Sequence, residues 1–136
     1  MEKLTFHLAL HGSVVLTASL VGGLILYLVI LKKTNYAAWH LLHAGGSARG
    51  VMLIALAAII HLPVLPPWQL LALAWLMIFF AWASTLAMFI AAISGERGFS
   101  LSGPSTNKLV FILYGLGVVT VFPACFLLIF GLLEAL

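Results

Sequence analysis

Four long apolar runs, separated by short polar breaks, make up nearly the whole chain. The first runs over residues 8–31 and stops at Lys32, Lys33, Thr34 and Asn35. The second covers 38–62 and ends at a loop with Pro63, Pro66 and Pro67. The third covers 68–94 and is closed by Gly95, Glu96, Arg97 and Gly98. The fourth covers 108–133, behind a turn-rich stretch from Ser100 to Asn107. Each run reaches the roughly 20 residues that a helix needs to cross hydrocarbon. Backbone amides in lipid must be paired within their own segment, so these runs are expected to be helices. No stretch shows the alternation of about ten residues that marks a membrane β-strand. Short connections make successive helices antiparallel neighbours. The expectation is therefore an all-α, integral membrane four-helix up-down bundle, with residues 1–136 forming a single transmembrane domain. Pro123, inside the fourth run, is expected to kink it.

Composition removes the soluble alternatives. The chain is 65% hydrophobic and 7% charged, with a mean hydropathy of +1.27. That leaves too few polar residues to coat a water-facing globule. A net charge of +3 rests on six basic and three acidic residues, which is not a nucleic-acid-binding balance. The basic residues instead sit between the apolar runs. Lys32, Lys33, Arg97 and Lys108 fall on one side, which the positive-inside rule places in the cytoplasm with both termini outside. The first run is too long for the apolar core of a cleavable signal. Cys125 has no cysteine to pair with and reads as a small core residue.

Ionisable groups within a span are costly and tend to be functional. Here they are His7, His11, His40, His43, Arg49 and His61, with Ser47, Ser84 and Thr85 as neutral companions. The densest cluster opens the second helix: Trp39, His40, His43, Ala44, Gly45, Gly46, Ser47, Arg49 and Gly50. His43 falls about one turn inside the membrane, followed by four small residues. A flat porphyrin beside a helix needs one ligand and no bulky neighbours around it, and neutral imidazole is a common haem ligand. The same small residues, Gly46 and Gly50 at four-residue spacing, equally suit a helix-packing face. His40 lies close to the headgroups. His7, His11 and His61, at the opposite end, read as interfacial histidines or as an outer metal or haem site. Trp39, Trp68, Trp75 and Trp82 suit belt or packing positions. Arg49 lies about 9 Å along the helix from His43. At that depth it needs a carboxylate, a haem propionate or a hydrated cavity, unless it snorkels to the surface.

These residues also carry a resemblance. Leu10-His11-Gly12, then Trp39, His43 and Gly45 followed by Gly50-Val51-Met52, then Trp82-Ala83, Arg97-Gly98-Phe99-Ser100 and Gly103-Pro104 occur in the order and spacing of one family. The chain resembles styrene oxide isomerase, a small four-helix bacterial membrane protein, over most of its length and with a shortened first loop. The resemblance implies a multi-pass protein of the bacterial inner (cytoplasmic) membrane that binds haem b, a homotrimer with haem between neighbouring subunits, and His43 as the iron ligand. Trp39, Gly45 and Gly46 would lie around the cofactor. It further implies conversion of a small apolar, aryl epoxide to an aldehyde by Lewis-acid ring opening and a 1,2-hydride shift. Two positions depart from the family. Arg49 stands where the family has an asparagine that orients the substrate, and Met88 where it has a tyrosine that lines the site. By position both are candidate catalytic residues. Met88 is either a packing residue or a weak ligand approaching the iron.

Three functions remain open at this stage. The first is the epoxide isomerase. The second is a membrane haem protein for electron transfer or gas sensing, without isomerase activity, which the Arg49 and Met88 positions motivate. The third is a cofactor-free accessory or transport subunit that uses its small-residue face for packing alone.

Overall fold

The computed structural model describes residues 2–32 and 36–136. Lys33, expected in the basic first loop, and Thr34 and Asn35 beside it lie outside the described residues. Four helices follow one another: α1 (Glu2–Leu31), α2 (Ala37–Ile59), α3 (Pro67–Ser94) and α4 (Ser105–Leu133). All four are long and apolar enough to cross a bilayer, which makes the chain a multi-pass membrane protein.

The helix ends depart from the apolar runs in an instructive way. α1 begins at Glu2 rather than at residue 8, and α4 at Ser105 rather than at 108. Hydropathy marks the part in lipid, whereas helical hydrogen bonding continues into the polar flanks. Glu2 in the first turn favours the positive helix N-terminus. Pro104 precedes α4 and accepts from Lys108 N at 3.2 Å. α2 ends at Ile59, before the expected 62. Leu62 N closes a turn on Ile59 O at 2.9 Å, and Pro63 cannot extend the helix. α3 stops at Gly95, whose φ of 77° is a left-handed cap donating to Ala91 O. α4 continues through Pro123.

Pairs of contacts fix the directions. Gly12 faces Gly50 while Gly23 faces His43, so α1 and α2 are antiparallel. Trp39 meets Phe89 while Arg49 meets Phe80, so α2 and α3 are antiparallel too. Gly98 lies against Val110 while Gly131 lies against Pro63 and Leu65, giving the same sense to α3 and α4. The topology is up-down. It is not a closed square, however. α4 packs on α3 alone, and no Cα of α4 approaches α1 or α2 within 8 Å among the described residues. The helices form two antiparallel hairpins, α1–α2 and α3–α4, joined through α3.

The core is divided by depth. A large apolar cluster, including Leu8, Leu53, Leu56, Ile60, Leu73, Met77, Ile78, Ala81 and Ala124, fills the half nearest the chain termini. A smaller one, Ala87, Ala91 and Val110, lies between α3 and α4 towards the other end. The polar side chains Ser19, Ser84 and Thr85 are buried near mid-span. α1 and α2 approach most closely through their glycines. A Cβ at Gly12 would stand 2.8 Å from Gly50 O, and one at Gly50 2.7 Å from Leu16 N. This is close backbone packing of the kind small residues allow in membranes.

Candidate functional site

His43 sits on the α1–α2 seam, half-buried. Its Nδ1–H donates to the backbone carbonyl of Ser19 at 3.1 Å. A carbonyl can only accept, so this bond fixes the tautomer and leaves the Nε2 lone pair free. The geometry has a local cause. A helical carbonyl points towards the residue four positions on, here Gly23. Any side chain at that position would cover the acceptor. A Cβ on Gly23 would come within 2.6 Å of Nδ1. The ring lies at the edge of a shallow open groove of about 310 Å³, lined by Leu20, Gly23, Leu24, Leu26, Tyr27 and Ile30. One turn along the same face, the hydroxyl of Ser47 is buried without a partner. That differs from Thr17, Ser19, Ser84, Ser94 and Thr120, each of which donates to the carbonyl four residues back.

The groups suit an iron porphyrin. One imidazole has a ring nitrogen anchored to a carbonyl, the usual way of orienting a metal-bound histidine. An apolar groove beside it offers a surface for a flat ring.

Arg49 points elsewhere. Six residues beyond His43, it is turned about 120° around α2. Its Nη1 donates to Gly45 O at 2.7 Å and approaches Met88 Sδ at 3.8 Å. The guanidinium carbon lies 5.2 Å from the centroid of the Phe80 ring, a cation–π distance. Tyr114 of α4 is close enough to interact with it electrostatically. No Cα of α4 lies within 8 Å of α2 among the described residues, so these side chains meet in a trough between the two helices, over Phe80 and Met88 of α3. Met88 is 1% exposed, with its thioether directed at Arg49. The structure therefore brings Arg49 and Met88 together and sets His43 on another face.

The remaining expected residues fall into place. Gly45 clears space for the Arg49–Met88 contact, since a Cβ there would stand 2.9 Å from both Nη1 and Sδ. Gly46 is buried against Ser19 at the α1–α2 crossing. Trp39 stacks edge-on against Phe89, with centroids 6.5 Å apart, and ties the start of α2 to the end of α3. His40 is exposed. At the other end, Trp82 Nε1 donates to His11 Nδ1 at 3.1 Å, and His7 lies 5.5 Å from the Trp75 ring. His61 lies in the exposed turn after α2. Among the described residues no three His, Cys, Asp or Glu side chains are grouped to hold a metal; His7 and His11 pack instead with Trp75 and Trp82 in an aromatic cluster.

The sequence reading did not reach Ser19, Gly23, Phe80 or Tyr114. Ser19 acts through its backbone and has no residue-type signal. Gly23, in a Gly22-Gly23 pair within an apolar run, did carry one: a glycine there costs helix stability unless something comes close.

Fold and site together define a four-span membrane protein with one oriented histidine on its lateral surface and a lone arginine at mid-depth. The family model described as styrene oxide isomerase matches residues 4–133, nearly the whole chain, and the chain belongs to that family. Membership implies isomerase activity. Comparison with individually curated proteins gives no significant match.

Proposed function

We propose that the protein is a haem b-dependent isomerase of the bacterial cytoplasmic membrane, acting on a small apolar epoxide, aryl by its family, to give an aldehyde. The observation that carries this reading is the hydrogen bond from His43 Nδ1 to Ser19 O, which leaves Nε2 free on a ring that lines an apolar groove. His43 would hold the iron through Nε2, and the Ser19 carbonyl keeps the proton on Nδ1. When bound, the haem supplies a Lewis acid for the epoxide oxygen, under which the benzylic C–O bond opens and a 1,2-hydride shift completes the isomerisation. The chain's contribution is to exclude water. Leu20, Leu24, Tyr27 and Ile30 wall the groove on one side. Such a lining protects an electron-poor carbon from hydration.

His43 and Arg49 occupy different faces of one chain, so a complete site calls for more than one copy. A cyclic head-to-tail homotrimer sets the histidine seam of each copy against the Arg49–Met88 trough of the next, with the cofactor between them. In that arrangement Arg49 and Met88 line the substrate side, Arg49 as hydrogen-bond donor and Met88 as apolar wall. Lys32, Arg97 and Lys108, all at one end, face the cytoplasm.

The test is an absorption spectrum of protein purified gently from haem-replete cells, with and without styrene oxide, alongside an assay for phenylacetaldehyde. The expected result is a five-coordinate or water-ligated ferric haem that the epoxide perturbs, with haem and turnover both lost in His43→Ala. A colourless wild-type preparation, or full activity without haem, overturns the proposal. A six-coordinate low-spin spectrum without turnover indicates a haem protein for electron transfer or gas sensing.

A further inference from the structure

Among the described residues Arg49 carries the only charge at the helices' mid-depth, and none of them neutralises it. The chain has three acidic residues, Glu2, Glu96 and Glu134. They lie in the first turn of α1, in the loop after α3 and at the C-terminal cap of α4. Arg49 is roughly 15–18 Å from either end of α2 at 1.5 Å per residue. A phosphate headgroup is therefore out of reach. Within the trough, Nη1 has its acceptors, but Nε is buried with none. A guanidinium presents five donors in a plane. Met88 and Phe80 offer it a thioether and a ring face, neither of which is an anion. Tyr114, on α4, is close enough to Arg49 to interact with it electrostatically. Gly45 has no side chain where one would displace both Arg49 and Met88, so the pocket is shaped around the cation. Arg49 as a whole is half-buried, and a charge at this depth with no anion beside it is unfavourable unless a partner is supplied.

We propose that the trough between α2 and α4 is a carboxylate-binding site, with Arg49 as the cation and Tyr114 as a second donor. Two carboxylates can reach this depth: one on the substrate, which narrows the small epoxide proposed above to one that is apolar but for a carboxylate, and a propionate of haem. The second source rests on the haem reading above. The planar fork of Arg49 suits either.

The experiment uses the full chain as purified in detergent. Binding of phenylacetate and of its neutral isostere phenylacetamide is measured by titration calorimetry, and haem loss to excess apomyoglobin is followed by absorbance. Each is done for wild type, Arg49→Gln and Arg49→Lys, with helix content checked by circular dichroism. If the substrate brings the carboxylate, wild type binds phenylacetate at least tenfold more tightly than phenylacetamide. Arg49→Gln then removes that preference, Arg49→Lys keeps part of it, and haem loss is unchanged. If a propionate occupies the trough, Arg49→Gln speeds haem loss at least tenfold and neither probe is preferred. Should neither quantity respond to Arg49→Gln in a helical protein, the proposal is overturned. A colourless preparation removes the haem reading alone. Phenylacetate then decides this proposal by itself, a preference that depends on Arg49 supporting it and no preference overturning it.

Discussion

At the scale of single residues, Ser19, Gly23 and His43 form one device: a carbonyl, a space and a ring. The carbonyl is already part of the α1 ladder, yet its second lone pair can still accept. Gly23 supplies only absence, and that is what makes it specific. Gly23→Ala puts a methyl 2.6 Å from Nδ1 and forces the imidazole off Ser19 O. Loss of such an outer partner costs about 10–100-fold in metal affinity. On the proposed haem function, the expected outcome is a helical, membrane-inserted protein with haem affinity reduced by that factor, measured by haem titration of the variant beside wild type. His43 was legible as a candidate because an imidazole followed by small residues is rare in a span. Its orientation was not legible, because the partner is a backbone atom on another helix. Arg49 stood out as a costly charge for the same reason. What surrounds it, Phe80 and Tyr114, comes from helices distant in sequence and could not be read off spacing.

At the scale of elements, the side chain of Asn107 ties together both ends of the loop between α3 and α4. Asn107 Oδ1 accepts from Gly98 N at 2.8 Å, while its Nδ2 donates to Ser100 O and Ser102 O, each at 2.8 Å. Gly98 and Gly103 take φ of 65° and 85°, which a side chain would strain. Three bonds at roughly 1 kcal/mol each make Asn107→Ala a loss of about 2–3 kcal/mol confined to this loop. The check is limited trypsin digestion, with cleavage after Arg97 expected to accelerate at unchanged helix content. The Arg97-Gly98-Phe99-Ser100 motif was visible in the sequence. The staple behind it was not, since Asn107 read only as the end of a turn-rich stretch. Along α1 and α2, Gly12→Ala meets Gly50 O at 2.8 Å and Ile54 Cγ1 at 2.9 Å. Overpacking of this kind costs about 1–3 kcal/mol. Unfolding in mixed micelles with rising dodecyl sulfate is expected to come earlier for this variant.

At the scale of the whole molecule, hydropathy was sufficient for the number, type and order of the helices, because lipid allows so few solutions. It was silent on how they group. An apolar run is equally apolar towards lipid and towards a neighbour, so the separation of α4 from α1 and α2 had no sequence signal. That separation gives the chain a natural seam. One helical hairpin comprises α1 and α2, the other α3 and α4, and the linker around residues 60–66 docks on the second through Val64 N and Gly131 O at 2.8 Å. Each half already has its own antiparallel partner and its own way into the bilayer. Severed between His61 and Leu62 and co-expressed, the fragments 1–61 and 62–136 should find one another and complement, with the untagged half co-purifying with the tagged one.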